Sequence, residues 1–545
     1  MRAFVRNTLS RPRPLHSPAT RAPSTPAVAE SSTERRPDAC FPPRLDRWAR
    51  LDMRVLLPVC ILLAVASLAV PVAPGYDAWS WLVWGRELAR FDLDTTGGPS
   101  WKPLPVLVTS ILSPFGDAAP TLWLLLVRTV TFLSLGLAAR LALRLADPLA
   151  AAVAPILMLL TPNTDARFFR YAAQGFAEPL MVALLLGAIE RHLDDRRDHA
   201  LVLGVLAALL RPEVWPFLGL YALWLWFAEP RLRRLALGLL PLVPLLWLGG
   251  DWLGSGGVLT GADRARVAVD EDPTMRLIQA DAEVFEVVIA PVWAGAVIAM
   301  LVSLRRREPV VPTLGALSLA WLGLLFVMTA KLGFYSGGRF AVPAGGLLSI
   351  LAAVGLVRTV DAAGGLTRRA LGLGQAVETS AGRESALPWR HRARILPAAA
   401  RVAALLGLAA LATPFAAGRA ASVPVQASAW SKRAGADLEV RELGQRPGMA
   451  KAFAACGPIA VDWYDLAREA PVAVAWELEL PLDHVQRRLR GGRGHVFALR
   501  EGKRFKRLSR QVRSEPRRGV GERTGATRLV ASSPQWALFA VRCDR

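Results

Sequence analysis

The sequence predicts an α-helical membrane protein that crosses the bilayer about 11 times and ends in a small α+β domain. Apolar residues make up 53% of the 545 residues, charged residues only 20%, and the mean hydropathy is +0.32. Apolar stretches recur between residues 55 and 417, and alternate connections between them are rich in Arg. Such a chain is not a multi-domain soluble enzyme, because it has too little polar surface to cover soluble domains.

The N-terminal residues 1–54 contain many Arg and Pro residues, no Lys and no apolar run. This composition predicts a disordered, basic cytoplasmic tail. Met53 is followed by Arg54 and then by the first apolar stretch, so it is an alternative start of translation. That stretch, 55–74, is longer than the apolar region of a signal peptide and lacks a cleavage site, so we expect it to stay as an anchor.

The transmembrane domain is expected over 55–417, because apolar stretches of membrane-spanning length fill this range. Ten further predicted spans lie near 121–144, 148–162, 176–190, 199–213, 214–229, 235–252, 286–304, 309–330, 340–357 and 395–417. If the N-terminus is cytoplasmic, every short cytoplasmic connection carries Arg, as the positive-inside rule requires. These residues are Arg140, Arg144, Arg191, Arg196, Arg197, Arg231, Arg233, Arg234, Arg305, Arg306 and Arg307. An odd number of spans then places residues 418–545 on the extracytoplasmic side of the plasma membrane.

The first predicted outer loop, 75–120, contains four Trp residues and one suggestive carboxylate. Trp residues are typical of the membrane interface, so we expect Trp79, Trp81, Trp84 and Trp101 to be lipid anchors. Asp77 lies where the first span emerges. A carboxylate at this place could accept a proton from a hydroxyl group or bind a divalent cation such as Mg²⁺ or Mn²⁺. It could equally be the N-cap of the segment that follows.

Two further outer segments carry charge at helix ends. Glu178 begins a predicted span and is expected to face a polar cavity, because a buried charge needs a partner or water. Arg211 and Glu213 flank Pro212, so they form either a mutual clamp, which is the commoner arrangement, or a phosphate-binding pair. The same outer surface contributes Arg170 and Tyr171 as candidate substrate-binding residues.

The loop KLGFYSGGRFAVPAGG forms another candidate segment. Gly337 and Gly338 leave backbone amides accessible, and Arg339 opens the next helix, whose N-terminal end favours an anion. The loop therefore suits a phosphate or diphosphate, with Tyr335 as its aromatic member. The alternative is an ordinary flexible hairpin.

The last 128 residues, 418–545, read as a small folded domain. Strands are predicted in 457–467, 470–480, 495–499 and 535–543, and a helix in 483–489. Cys456 and Cys543 are the two cysteines on this side, and they form either a disulfide or two buried thiols. Residues 487–523 are dense in Arg and Lys, which outside the cytoplasm suits anionic lipid, phosphorylated glycan or wall polymer, or else an ordinary solvated surface.

Several motifs together resemble the GT-C superfamily of membrane glycosyltransferases, which use polyprenyl-phosphate sugars, and especially its bacterial members from actinobacteria-like genomes. The motifs are YDAW after the first span, WKPLPVL, GFAEPLM, LLRPE and YSGGRFAVPA, in this order on the outer face, and they cover most of 55–417. The resemblance implies that Asp77 is the catalytic base or a metal-associated group. Ala78 stands where many members have a second acidic residue, which puts the metal in doubt. Lys102, Arg211 and Arg339 then match the donor-phosphate residues.

The function expected from the resemblance is transfer of a hexosyl or pentosyl unit from a polyprenyl-phosphate sugar to an acceptor in the cell envelope, with inversion at the anomeric carbon. The expected partners are the lipid-linked donor, the acceptor and the bilayer, with no nucleic acid. A transporter or flippase of lipid-linked precursors is the leading alternative, although no internal repeat is found. A non-catalytic membrane scaffold is the third.

Overall fold

A computed structural model describes residues 52–161, 167–266, 272–285, 288–334, 338–370, 387–461, 470–486, 488–489, 492–514, 517–518, 522–523 and 527–543. All of them belong to one compact unit, Arg50–Arg545. The predicted tail lies outside the described residues except for its last three positions, and so does Tyr335.

Helices form most of the described chain. In chain order they are α1 (Met53–Ser67), α2 (Tyr76–Ala89), α3 (Pro103–Leu112), α4 (Ala119–Leu145), α5 (Pro148–Leu160), α6 (Arg167–Ala173), α7 (Glu178–Leu193), α8 (Arg197–Ala208), α9 (Trp215–Ala228), α10 (Arg233–Leu239), α11 (Leu242–Ser255), α12 (Thr260–Arg266), α13 (Pro273–Val284), α14 (Ala290–Arg305), α15 (Val310–Ala330), α16 (Val342–Ala370), α17 (Leu387–Gly444), α18 (Met449–Ala455), α19 (Ala470–Glu477) and α20 (Lys503–Ser514). Short 3₁₀ turns occur at Ser113–Ala118, Pro212–Val214, Pro230–Leu232, Gly338–Ala341 and Leu482–His484.

Four described helical segments are long and apolar enough to cross a membrane. They are Pro103–Leu145, Pro230–Ser255, Val310–Ala330 and Gly338–Ala363. Three shorter apolar helices, Met53–Ser67, Pro148–Leu160 and Ala290–Arg305, accompany them. The protein is therefore a helical membrane protein, while the count of 11 spans remains a prediction. One continuous helix, α17, runs across position 417, where the sequence suggested that the last domain begins.

The predicted lipid anchors of the first outer loop lie inside the protein. Trp79, Trp81, Trp84 and Trp101 are each at most 4% exposed. Trp81 meets the ring of Trp123 edge-on, and Trp84 and Trp101 lie 6.1 Å apart between ring centroids. The expectation of lipid contact was wrong because a Trp-rich amphipathic segment suits a protein groove as well as a membrane interface. As a result, α2 is buried from Asp77 to Glu87.

The C-terminal part contains a five-stranded sheet of β1 (Ile459–Val461), β2 (Val485–Gln486), β3 (Gly494–Leu499), β6 (Thr527–Ser532) and β7 (Trp536–Val541). The order of these strands in the sheet is β2-β1-β3-β7-β6, and a separate hairpin joins β4 (Arg517–Arg518) to β5 (Glu522–Arg523). β1 is parallel to both of its neighbours, whereas β7 is antiparallel to β3 and β6. Cys456 and Cys543, at the two ends of this region, form a disulfide with Cα atoms 5.5 Å apart.

Two expectations for this region were wrong. The run 470–480 is not a strand: its first eight residues form α19, which is buried between α17 and α2. A short, continuously apolar run shows no hydrophobic periodicity that distinguishes a strand from a helix. Here the run is buried on several sides and forms a helix. The described residues of 483–489 do not form the expected α-helix either: the segment begins in the 3₁₀ turn Leu482–His484, and Val485 and Gln486 then extend the sheet beside β1.

Candidate functional site

Asp77 lies in the first turn of α2 and is buried. Gly75 is the N-cap of this helix, so the alternative role of Asp77 as N-cap is wrong. The backbone N–H of Gly75 donates to the carbonyl of Gln174 at 2.7 Å. A Cβ on Gly75 would lie 2.4 Å from the ring of Phe176, so a glycine is needed here for α2 to begin against that ring. The Asp77 side chain is 6% exposed.

Two cations from distant parts of the chain meet one oxygen of Asp77. Arg339 Nη1 donates to Asp77 Oδ2 at 2.9 Å, and Lys102 Nζ lies 3.4 Å from the same atom. Arg339 is 262 positions away in sequence and Lys102 is 25. The fold thus brings together residues of two candidate segments, the first outer loop and the loop that contains Arg339, which the sequence placed on one membrane face.

Lys102 is positioned by the residues beside it. It is the N-cap of α3, and Pro103 begins the helix with the fixed φ that favours a first turn. The neighbouring Trp101 donates from its indole N–H to the Leu246 carbonyl at 3.1 Å. The Lys102 ammonium lies 5.2 Å from the ring centroid of Trp81, within reach of a cation–π contact. The WKP sequence therefore holds the ammonium group against Asp77.

Arg339 connects Asp77 to a second carboxylate. It lies in the 3₁₀ turn Gly338–Ala341, and its Nε is 3.7 Å from Glu178 Oε1. The guanidinium is bordered by the rings of Phe176 and Phe340, at 5.5 and 5.3 Å from their centroids. The Arg339 side chain is 22% exposed, against 6% for Asp77 and 8% for Lys102. Arg339 is therefore the member of this group that solvent reaches most easily.

Arg211 forms the deeper half of the site. It donates to Glu178 Oε1, and its Nη1 lies 3.6 Å from Glu213 Oε1. Its guanidinium carbon is 3.7 Å from the ring centroid of Phe340. The three charged side chains are at most 4% exposed. In this structure Arg211 and Glu213 form the mutual clamp, extended by Glu178.

The site is electrically balanced. Three cations, Lys102, Arg211 and Arg339, face three carboxylates. We call these six residues the Asp77 cluster; its carboxylates are Asp77, Glu178 and Glu213. Buried charges are tolerated when they are paired in this way.

The surrounding charges set the pKa values of the outer members. Burial alone would raise the pKa of Asp77, but the charges of Arg339 and Lys102 outweigh it and lower the pKa to about 2. Burial lowers the pKa of Lys102, and the charge of Asp77 opposes this effect. Asp77 is therefore ionised in this arrangement and has a low affinity for a proton.

Two of the candidate residues, Arg170 and Tyr171, lie apart from the Asp77 cluster. Arg170 is exposed and donates from Nε to Gln174 at 3.2 Å. Tyr171 packs edge-on against Phe176, with ring centroids 5.7 Å apart, so it is one layer behind Arg339. Tyr335 lies outside the described residues.

The residues around Asp77 do not fit a divalent cation. A Mg²⁺ or Mn²⁺ site needs several oxygen ligands, whereas Asp77 Oδ2 faces two cations and the neighbouring residue is Ala78. Among the described residues, the one group of three clustered metal-ligating side chains is Cys456, His495 and Cys543, and its two cysteines form the disulfide. We therefore assign no role to a metal ion at Asp77.

Sequence reasoning missed an arginine that shapes the site. Arg264 donates to four backbone carbonyls in the loop before Trp101, those of Thr95, Thr96, Gly97 and Pro99. These bonds fix the loop that leads to Lys102. The sequence shows Arg264 only as an Arg in a polar outer segment, and many solvent-exposed loops contain such a residue.

Arg86 was missed as well, and it joins α2 to the C-terminal part. Its guanidinium donates to the carbonyls of Trp476 and Leu480, each at 3.1 Å, and lies 5.0 Å from the Trp476 ring centroid. Trp79 approaches the same ring at 6.0 Å. The helix that carries Asp77 is thus braced by the C-terminal part.

Known structures share this architecture. ArnT from Cupriavidus metallidurans, solved bound to undecaprenyl phosphate, matches with a TM-score of 0.50 and 15% sequence identity, over 89% of this chain and 97% of ArnT. This chain has the same fold. The GT-C-like fold expected from the sequence motifs is thereby confirmed. No family profile and no curated protein sequence matches the chain significantly.

Two other structures are similar to a lesser degree. The apo form of the same ArnT has a TM-score of 0.49 at 16% identity, over 91% of this chain and 98% of ArnT. The oligosaccharyltransferase AglB from Archaeoglobus fulgidus, in complex with an inhibitory peptide and a dolichol-phosphate, has a TM-score of 0.48 at 13% identity, over 86% of this chain and 71% of AglB. The fold assignment rests on ArnT with its bound undecaprenyl phosphate.

Proposed function

We propose that the protein is a membrane glycosyltransferase that moves a sugar from a polyprenyl-phosphate donor to a hydroxyl group of an extracytoplasmic acceptor. The observation that carries this proposal is the Asp77 carboxylate, held between Arg339 and Lys102 in a fold that ArnT uses to bind undecaprenyl phosphate. A base and phosphate-binding cations at one place are the two requirements of this reaction.

In the proposed reaction, Asp77 accepts the proton of the acceptor hydroxyl while its oxygen attacks the anomeric carbon. The bond between that carbon and the phosphate oxygen breaks, and polyprenyl phosphate leaves with one additional negative charge. Arg339 and Lys102 stabilise that charge as it develops. Attack from the face opposite the phosphate inverts the anomeric configuration.

The ion pairs suggest how Asp77 becomes a useful base. With a pKa of about 2, it takes up a proton poorly near neutral pH. The donor phosphate brings one negative charge to a balanced cluster and competes with Asp77 for Arg339 and Lys102. As these cations turn to the phosphate, the proton affinity of Asp77 rises. Binding of the donor would thus prepare the base.

The test uses the full-length protein in lipid vesicles with radiolabelled undecaprenyl-phosphate hexose and pentose and envelope glycan as acceptor. We expect Asp77→Asn to lower transfer by about 10²- to 10⁴-fold, the usual contribution of a general base. The same variant should bind undecaprenyl phosphate at least as tightly as the wild type, because Arg339 and Lys102 lose their carboxylate partner. Arg339→Ala should weaken that binding.

Asp263→Asn is the matched control, since the Asp263 side chain is 71% exposed and lies outside the Asp77 cluster. Undiminished transfer in Asp77→Asn would show that the assigned base is wrong. Movement of the intact lipid-linked sugar across the vesicle membrane without transfer would instead identify a flippase.

A further inference from the structure

Helix α20 divides its side chains between two unlike faces. Phe505, Leu508 and Val512 pack on one side of the sheet in a small core with Phe539. Phe505 and Phe539 lie 5.9 Å apart between ring centroids. The helix is therefore fixed to the sheet by an apolar stripe at helical spacing.

Four cations lie on the other face. These residues are Lys503, Lys506, Arg507 and Arg510, and all four are exposed. The last three follow Lys503 by three, four and seven positions, a spacing that places all four on one side of a helix. None of the four forms an ion pair with any residue that the structure describes. Like charges at this spacing destabilise an isolated helix. This arrangement, which we call the basic face, has no acidic partner within the described protein.

The sheet determines where the basic face points. Phe497, Trp536 and Leu538 belong to the same core as the membrane helices. Their neighbours Val496 and Phe539 point to the opposite side and belong to the small core under α20. Helix α20 thus covers the side of the sheet that faces away from the membrane core. This placement favours a partner that extends away from the bilayer over the lipid headgroups themselves.

We propose that the basic face binds a polyanionic glycan, a polymer whose phosphodiester or carboxylate groups repeat along its length. The four cations span about 10 Å of helix, at 1.5 Å per residue, so they can contact successive charges of one chain. The Cys456–Cys543 disulfide favours an oxidising compartment, where nucleic acid is not the expected polyanion. This binding goes beyond the proposed function and does not depend on it.

The test measures binding of the full-length protein, in nanodiscs of neutral lipid, to poly(glycerol phosphate), polygalacturonate and uncharged dextran. We expect both anionic polymers to bind and dextran not to bind. The variant with Lys503, Lys506, Arg507 and Arg510 all changed to Gln should lose roughly ten- to hundredfold in affinity and most of the salt dependence, because fewer counterions are released. Its thermal unfolding should stay unchanged or improve, since the apolar stripe is intact.

A matched control removes four charges from the same part of the chain but not from α20. In it, the exposed residues Lys432, Arg446, Lys451 and Arg542 are changed to Gln. Equal loss of binding in both variants would mean that net charge, rather than the basic face, attracts the polymer. Binding to vesicles of anionic lipid but to neither anionic polymer would assign the face to the membrane, and absence of binding to every probe would also overturn the proposal.

Discussion

The Asp77 cluster and the basic face of α20 are both rich in Arg and Lys, yet they place these residues in opposite surroundings. In the cluster, three cations are paired with three carboxylates, mostly inside the protein. On the basic face, four cations are exposed and have no ion-pair partner among the described residues. Because charge interactions weaken strongly in water, buried cations control structure and reactivity, whereas exposed ones control attraction to a partner.

The largest loss of stability should follow the replacement of Arg211, the most deeply buried cation of the Asp77 cluster. Arg211→Ala leaves Glu178 and Glu213 buried without their shared partner, which should lower the free energy of unfolding by about 3 to 5 kcal/mol. Thermal unfolding in detergent measures this change. A second variant that also carries Glu178→Gln should recover part of the loss, because it removes one of the uncompensated charges.

Arg231 is the control for that experiment. Its side chain is 67% exposed and pairs with Glu229 at 3.0 Å. Arg231→Ala should therefore cost no more than about 1 kcal/mol. Similar losses for the two variants would contradict the distinction between buried and exposed charge.

A smaller effect should appear as a pH dependence where the C-terminal part meets α2. Burial and the nearby charge of Asp437 raise the pKa of Glu477 to about 7 in the folded protein, from an ordinary 4.5. A raised carboxyl pKa gives stability that is present below pH 4.5 and is lost as the pH rises to 7. Glu477→Gln should thus match the wild type near pH 4 and exceed its stability at pH 8, by about 3 kcal/mol at most, since one pKa unit is about 1.4 kcal/mol.

Glu479 gives the comparison for this second prediction, since it lies two residues away and its side chain is 69% exposed. Glu479→Gln removes a carboxylate from an exposed position and should change the free energy of unfolding by less than about 1 kcal/mol. A flat difference between Glu477→Gln and the wild type from pH 4 to pH 8 would show that Glu477 does not titrate on unfolding.

Much of this arrangement could be predicted from the sequence, because it depends on local signals. Hydropathy and basic loops indicate a helical membrane protein, and the order of short motifs indicates the fold. Asp77, Lys102, Glu178, Arg211 and Arg339 could be selected as outer-face charges, although their pairing required the fold. No local pattern shows that Arg339 meets Asp77 across 262 positions.

The errors arise where one pattern serves two environments. The Trp residues of α2 suit lipid or protein equally, and packing against distant parts of the chain decides between the two: Trp79 contacts Trp476 of α19, and Trp81 contacts Trp123 of α4. The sequence predicted that residues 487–523 form a charged surface, but it did not predict helix α20 within them. The many cations of this segment obscure the helical spacing of Phe505, Leu508 and Val512. Long-range packing, rather than propensity, determined both outcomes.

The smallest loss of stability is predicted for Arg90→Ala, one helical turn from Arg86, whose replacement should cost more. Arg90 pairs with Glu479 at 3.3 Å, but both side chains are more than half exposed, so Arg90→Ala should cost less than about 1 kcal/mol. Arg86 is 8% exposed and donates to three carbonyls of the C-terminal part. Arg86→Ala leaves those acceptors buried and should cost about 1 to 3 kcal/mol and loosen the contact. Hydrogen exchange of α19 measures both variants, and equal exchange in the two would mean that the docking of α2 does not depend on buried charge.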